Sequence, residues 1–442
     1  MRFRYAVALL CLPCVACGLV LSVDQYRDCA NASECAPDGA TGDAQADAPP
    51  DAPLVACKKS ADCALATPVC SQGLCASVQT LVRGTVSYQC VILSDQTLWC
   101  WGANDHGQLG RGAIGGKEFV PAPVTVLPKG ATVVQAGVAN GFACALTDDK
   151  KVRCWGDGFG GSGTGTATQV GLPADAVEVG VGSAGACARL VDKSVYCWGE
   201  NGYGSLGCAA DAGAVVSTTS SPHLWIDAKA DVIQLAVGGY AACALESTGD
   251  VLCFGNTAWG NLGDGRSGPD NGCQTSTLSG FASNRVERLE TADFATCAKD
   301  INAQFYCWGA NHSAQNAGLL WPPATAADAG GPSFTVPWHM PLAAGTRSIS
   351  VGWLHTCALE NNGNVSCWGQ SGKGETGVND IGPVAKRSVS GLSDVSEITA
   401  HRQFTCARQG NGQVLCWGDN EFAELGSVGP TTTTAPTPVS WP

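Results

Sequence analysis

Thr356-Cys357-Ala358-Leu359-Glu360-Asn361-Asn362-Gly363-Asn364-Val365-Ser366-Cys367-Trp368-Gly369 is the stretch that decides the fold. A polar turn containing Gly363 sits at its centre, with an apolar arm on either side, which is the pattern of a β-hairpin. Folding about that turn sets Cys357 opposite Cys367 on adjacent antiparallel strands. Directly opposed residues have Cα atoms roughly 4.5–5.5 Å apart, and a disulfide accepts roughly 4.4–6.8 Å. The ten-residue spacing therefore suits a cross-strand bridge.

The hairpin recurs. Pairs ten residues apart are Cys90/Cys100, Cys144/Cys154, Cys187/Cys197, Cys243/Cys253, Cys297/Cys307, Cys357/Cys367 and Cys406/Cys416. The second cysteine is followed by Trp-Gly in six copies and by Phe254-Gly255 in the other. Steps between second cysteines are 54, 43, 56, 54, 60 and 49 residues, so a fixed unit alternates with connections of variable length. That is the mark of a repeat architecture. One hairpin cannot bury both faces, whereas hairpins stacked radially cover one another, which predicts a β-propeller. Side chains alternate along a strand, so Trp101, Trp155, Trp198, Phe254, Trp308, Trp368 and Trp417 are expected between blades.

The first copy continues as Cys100-Trp-Gly-Ala-Asn-Asp-His-Gly-Gln-Leu-Gly110, and later copies keep Gly204-Ser-Leu-Gly207, Gly260-Asn-Leu-Gly263 and Glu424-Leu-Gly426. Together with Cys-Ala-Leu and Val-x-Cys-Trp-Gly, these residues resemble the repeats of the regulator of chromosome condensation family over about residues 80–442. The resemblance implies seven four-stranded blades. The expected fold is thus an all-β, seven-bladed propeller with a small N-terminal disulfide-rich segment. Most copies follow a Pro-x-Val strand such as Pro121-Ala-Pro-Val-Thr-Val126, but the first has none upstream. The terminal Pro436-Thr-Pro-Val-Ser-Trp441 is expected to complete the first blade and close the ring.

The residues before the propeller divide into short parts. Arg2 and Arg4 precede an apolar run to Ala16, then Cys17. Residues 1–17 resemble a bacterial lipoprotein signal with Cys17 as the lipidated residue. Residues 18–56 hold Cys29 and Cys35 and a stretch rich in Ala, Asp and Pro, which reads as an extended tether. Residues 57–79 hold Cys57, Cys63, Cys70 and Cys75. Four cysteines allow three pairings, which spacing cannot separate. Zinc is the weaker reading, because there is no C-x-x-C pair and no nearby His. Cys208 and Cys273, in insertions after the third and fourth hairpins, are left to pair with each other.

The chain has 442 residues, 57 Gly, 25 Cys and 14% charged residues, with 25 basic against 38 acidic side chains. Full disorder is excluded by the 45% hydrophobic content, and a net charge of −13 disfavours nucleic acid. Neither a metal-spaced His pair nor a nucleophile elbow nor a phosphate loop occurs. Catalytic residues, metal ligands and cofactors are therefore expected to be absent. Trp259 and Trp321, in loop-like segments, are the candidate partner-binding residues. The leading expectation is a monomeric, non-enzymatic scaffold on a bacterial outer membrane or cell surface. Its lipid would be the sole membrane contact, and it would recognise an unknown protein or surface glycan through loops on one rim. The resemblance implies an alternative, guanine-nucleotide exchange on a small GTPase. A glycan-acting or glycan-binding propeller is the third reading.

Overall fold

The computed structural model describes residues 56–442 except 65–66, 85, 158–164, 184, 202–203, 205, 207–217, 227–229, 258, 268–273, 279–280, 282–284, 312–332 and 381–382. A short hairpin, β1 (Val69–Ser71) and β2 (Leu74–Ala76), precedes seven antiparallel four-stranded sheets. Blade 1 is β3 (Val78–Leu81), β4 (Tyr88–Leu93), β5 (Leu98–Ala103) and β6 (Lys117–Pro123). Blade 2 is β7 (Val133–Ala139), β8 (Phe142–Thr147), β9 (Val152–Gly156) and β10 (Thr168–Gln169). Blade 3 is β11 (Ala176–Gly182), β12 (Gly185–Leu190), β13 (Val195–Glu200) and β14 (Thr218–Ile226). Blade 4 is β15 (Val232–Val237), β16 (Ala241–Glu246), β17 (Val251–Gly255) and β18 (Gln274–Leu278). Blade 5 is β19 (Val286–Thr291), β20 (Ala295–Asp300), β21 (Phe305–Gly309) and β22 (Phe334–His339). Blade 6 is β23 (Thr346–Val351), β24 (His355–Glu360), β25 (Val365–Gln370) and β26 (Pro383–Ser388). Blade 7 is β27 (Val395–Ala400), β28 (Phe404–Gln409), β29 (Val414–Asp419) and β30 (Thr432–Pro438). The first strand of each blade is innermost. Among the described residues no helix is long and apolar enough to cross a membrane.

The repeated hairpin forms the middle two strands of every blade. Each cysteine pair is in direct register, as Cys90↔Cys100 and Cys357↔Cys367 show, and all seven pairs are bonded with Cα atoms 4.0–4.1 Å apart. Disulfide richness is thus a property of every blade, which corrects the expectation that set it in the N-terminal segment. The glycine after each tryptophan is required by geometry. Gly102 has φ +109° and a Cβ there would lie 2.6 Å from the Tyr88 Cα; Gly418 repeats this at +112° against the Phe404 Cα.

Between blades one contact recurs. The disulfide of each blade packs against the aromatic residue that follows the second cysteine of the next. Cys90–Cys100 meets Trp155, Cys144–Cys154 meets Trp198, and Cys187–Cys197 meets Phe254. Cys243–Cys253 meets Trp308, Cys297–Cys307 meets Trp368, and Cys357–Cys367 meets Trp417. Cys406–Cys416 then meets Trp101 and closes the circle. The six tryptophans are fully buried, and among the described residues four of their indole N–H groups reach a carbonyl in the preceding blade. Trp101 donates to Glu424 at 2.8 Å, Trp155 to Gln108 at 2.9 Å, and Trp308 to Asn261 and Trp417 to Glu375 both at 3.0 Å. The acceptor lies each time in the Gly-Gln-Leu-Gly segment or its equivalent, so the two halves of the repeat interlock across the seam.

A second device operates at the channel. All seven inner strands carry a β-bulge near their start, between residues such as Val133/Gln135 and Val395/Glu397. A bulge re-aims the following side chain. Gln135 accepts the Val179 amide at 2.9 Å, while Glu178 accepts Leu235 and Gln234 accepts Leu289, both at 2.8 Å. Glu397 accepts Leu81 at 3.1 Å, joining blade 7 to blade 1. These side chains satisfy amides that an inner strand edge would otherwise leave unpaired.

The closure expected from the C-terminus is corrected. β30 pairs with β29 and finishes blade 7, while β3 supplies the first blade from upstream. The ring closes by packing: Val439 joins the seam core, and the Trp441 ring stands edge-on to Trp99 and Trp101 at 6.3 and 5.9 Å. The 57–76 module sits on the same seam. Val69 and Ala76 join its core, and the Ser60 amide donates to the Pro442 carbonyl at 2.8 Å. Its pairing is Cys57–Cys70 and Cys63–Cys75.

Candidate functional site: an aromatic rim

Because strands alternate in direction, the turn between the first and second strands and the loop between the third and fourth lie on one rim. On blades 4 to 7 these segments bring large side chains together. Tyr240 (after β15) stacks on Phe294 (after β19) at 4.9 Å between ring centroids. Phe294 leans on Trp353 (after β23) at 6.0 Å, and the Arg402 guanidinium lies over Trp353 at 4.6 Å. Trp259, from the loop after β17, stands edge-on to Tyr240 at 5.0 Å and to Phe294 at 5.4 Å. The four rings are half-buried and Arg402 is exposed. Trp259 is therefore one member of a ladder that crosses four blades. Tyr240 and Phe294 come from the turn position that holds Gly141 in blade 2, and Trp353 and Arg402 from the position that holds Asn140, so residue type in one copy did not announce them in the next.

Beside the ladder the axis is bridged by side chains. Arg83 of blade 1 pairs with Glu290 of blade 5, and the Ser183 hydroxyl of blade 3 donates to Asp293 of blade 5. Arg83 and Ser183 thus each reach across to a blade that is not a neighbour of their own. Lys373 lies 3.3 Å from Asp419 and 3.5 Å from Glu421 on the blade 6–7 side. His106 lies 3.1 Å from Asp157 at the blade 1–2 side.

Other buried polar and aromatic residues lie away from this rim ladder. His355 is fully buried with Nε2 2.8 Å from the Thr405 hydroxyl, and burial depresses its pKa to about 3. His401 is likewise buried and depressed to about 3, with Nε2 2.6 Å from both Thr399 and Gln89. Both bind blades together. Asp264, in the loop after β17, is held by Arg266. Trp225 lies in β14 against Phe254, and Trp338 lies in β22. Cys17, Cys29, Cys35, Cys208, Cys273 and Trp321 lie outside the described residues, as do the signal and tether.

Two glutamates were missed in the sequence. Glu375 and Glu424 occupy the Gln108 position of the repeat and are buried. Desolvation pushes both carboxyls up to about 7. Each keeps the bond that Gln108 makes to its own loop: Glu375 accepts the Lys373 amide and Glu424 the Phe422 amide, both at 2.8 Å, as Gln108 accepts His106 at 2.9 Å.

Two stretches match the regulator of chromosome condensation (RCC1) repeat. They are residues 95–146 and 347–375. A mitochondrial RCC1 domain-containing protein of Arabidopsis thaliana, RUG3, is 40% identical over 62 residues, 14% of this chain and 13% of that protein. The chain therefore matches about an eighth of that relative's length. Among solved structures, Prp20p of Saccharomyces cerevisiae superposes with a TM-score of 0.66 at 18% identity, covering 83% of this chain and 87% of that one. Human WBSCR16 gives 0.64 at 22% identity over 78% and 94%. Yeast RCC1 (Prp20) bound to Kap60 gives 0.66 at 18% over 94% and 91%. These likenesses concern the fold.

The comparisons correct the reading of a bacterial outer-membrane lipoprotein displaying a non-enzymatic scaffold. The similar proteins are a plant mitochondrial protein and proteins of yeast and human. The expected unknown protein or surface glycan, reached from a lipid anchor, is corrected with it, since Prp20p is described binding Gsp1p and histones, and yeast RCC1 is seen with Kap60. So is the expectation of no enzymatic role, since Prp20p, whose binding to Gsp1p and histones is described, shares this fold.

Proposed function

We propose that the propeller binds a small GTPase through the aromatic rim and promotes release of its guanine nucleotide. The observation that carries this reading is the ladder from Trp259 to Arg402, on a fold similar to that of Prp20p. Large aromatic and arginine side chains dominate binding energy at protein interfaces. Here they stand on turns fixed by the blade framework, so docking costs little ordering entropy. Exchange needs no group transfer by the propeller. It requires only that the rim bind the nucleotide-free GTPase more tightly than the loaded form.

The test uses the full oxidised chain and yeast Gsp1p loaded with a fluorescent GDP. Release of the label is expected to accelerate, and Trp259→Ala combined with Trp353→Ala is expected to remove about 30-fold of that effect, about 2 kcal/mol. Neither binding nor acceleration by the unaltered chain overturns the proposal. Acceleration untouched by the double change moves the site off this rim.

A further inference from the structure

Phe294 is the hub of the ladder. Tyr240, Trp259 and Trp353 all pack on its ring, at 4.9, 5.4 and 6.0 Å between centroids. It stands on the turn from β19 to β20, and that turn is held from three other blades. On the blade 4 side two turns meet closely. The Tyr240 amide donates to the Asp293 carbonyl at 3.2 Å. A Cβ on Gly238 would lie 2.3 Å from the Ala292 carbonyl oxygen, and one on Gly239 2.9 Å from Asp293 Oδ1, so the approach requires glycine at both positions. From blade 3, the Ser183 hydroxyl donates to Asp293 Oδ1. From blade 1, the Arg83 guanidinium donates to both carboxylate oxygens of Glu290, four residues before Phe294. Neither of these last two arms comes from a blade that adjoins blade 5.

The Arg83–Glu290 pair is partly withdrawn from water: the Glu290 side chain is 13% exposed and that of Arg83 38%. Charge-assisted bonds of this kind are stronger than neutral ones, and removing Arg83 leaves a largely buried carboxylate without this counter-charge. Blade 5 does not need the pair to form its sheet, in which β19 is paired with β20 from Val286↔Asp300 to Thr291↔Thr296. The two long arms therefore bear on where the turn points. We propose that Arg83 and Ser183 are positioning residues for the rim. They lock the blade 5 turn, so that Phe294 holds the ladder in one arrangement before a partner docks. The proposal rests on the reading of the rim as the GTPase-binding surface and adds the residues outside the ladder that set its affinity. A surface fixed in advance has less ordering entropy to lose on binding. The lock should thus act on the half-saturating concentration and leave the rate at saturation alone.

The experiment compares Arg83→Ala, Ser183→Ala and Arg83→Lys with the parent, each as the full oxidised chain. Amide exchange is first followed in the free proteins at Tyr240 and Ala292, whose N–H groups bond to Asp293 and Ala295 of this turn. Both alanine variants are expected to speed exchange there by about tenfold, and Arg83→Lys, which keeps the charge, to restore most of the protection. Exchange at the parent rate in both alanine variants overturns the positioning role. Faster exchange spread evenly through all seven blades overturns it as well, since that marks a pair with a merely structural role. Nucleotide release is then titrated with Gsp1p carrying a fluorescent GDP. Arg83→Ala is expected to raise the half-saturating concentration about tenfold at an unchanged saturating rate, with Arg83→Lys close to the parent. A lower saturating rate at the parent half-saturating concentration overturns the proposal, because it would place Arg83 in the exchange step itself. A parent chain that accelerates nothing overturns the GTPase reading alone, and the amide exchange still decides the lock.

Discussion

Glu375 and Glu424 show how one atom's difference from the repeat sets a pH dependence. Glutamine at their position makes the same loop bond without a charge, as Gln108 does. Burial raises each carboxyl to about 7, above its unfolded value. Such a group holds its proton more tightly when folded, so it stabilises least at high pH: the penalty grows as pH rises from about 4.5 to about 7 and is complete above that. Glu375→Gln with Glu424→Gln is expected to raise the melting temperature at pH 8 and leave it unchanged near pH 4. Equal melting at pH 8 would show that water reaches these carboxyls. His355 and His401 act in the opposite sense. Their pKa values are depressed, so stability is lost as pH falls below about 6.5. At the seam, Trp417→Ala removes a fully buried indole and its bond to Glu375, and should cost about 3–5 kcal/mol by chemical denaturation. The Trp-Gly signature made these indoles legible as packing residues, while their carbonyl partners were not, since a partner 42 to 323 residues away leaves no local trace.

At the scale of the element, the inner strands explain how an open edge is tolerated beside a channel. Gln234 both accepts the Leu289 amide and donates to the Leu289 carbonyl, at 2.8 and 2.9 Å. Gln234→Leu leaves both backbone groups without that partner, at an expected cost of about 1–3 kcal/mol. Amide exchange at Leu289 should accelerate accordingly; exchange at the parent rate would mean the edge is satisfied in another way. Hairpins were readable because cysteine spacing and turn glycine agree within fourteen residues. Their outer partners were harder. Blade 2 ends in the two-residue β10, and long insertions separate other blades from their fourth strands, so apolar periodicity there is weak. The aromatic rim was legible only as Trp259. Tyr240 and Phe294 stand three residues before their blade's first cysteine and Trp353 stands four before, so nothing in one copy pointed to the next.

For the whole molecule the decisive question is how a ring without a shared strand holds its ends. The seam between blades 7 and 1 uses the same disulfide–indole contact as the other six, adds the Glu397–Leu81 bond, and is covered by Trp441 and the cysteine module. Removing 436–442 deletes the end of β30, Val439 and Trp441 together. It is expected to lower stability by about 3 kcal/mol or more in one cooperative transition, and a truncated protein that melts like the parent would refute this account of closure. The amino-acid sequence by itself determined the blade: seven hairpins, their turns, and the cysteines that face one another, because those relations are local and repeat at a fixed spacing. Tertiary structure alone decided which terminus finishes which blade, how the module's four cysteines pair, and which side chains share a rim. Those depend on the rotation from one blade to the next, which brings together residues that no spacing along the chain connects.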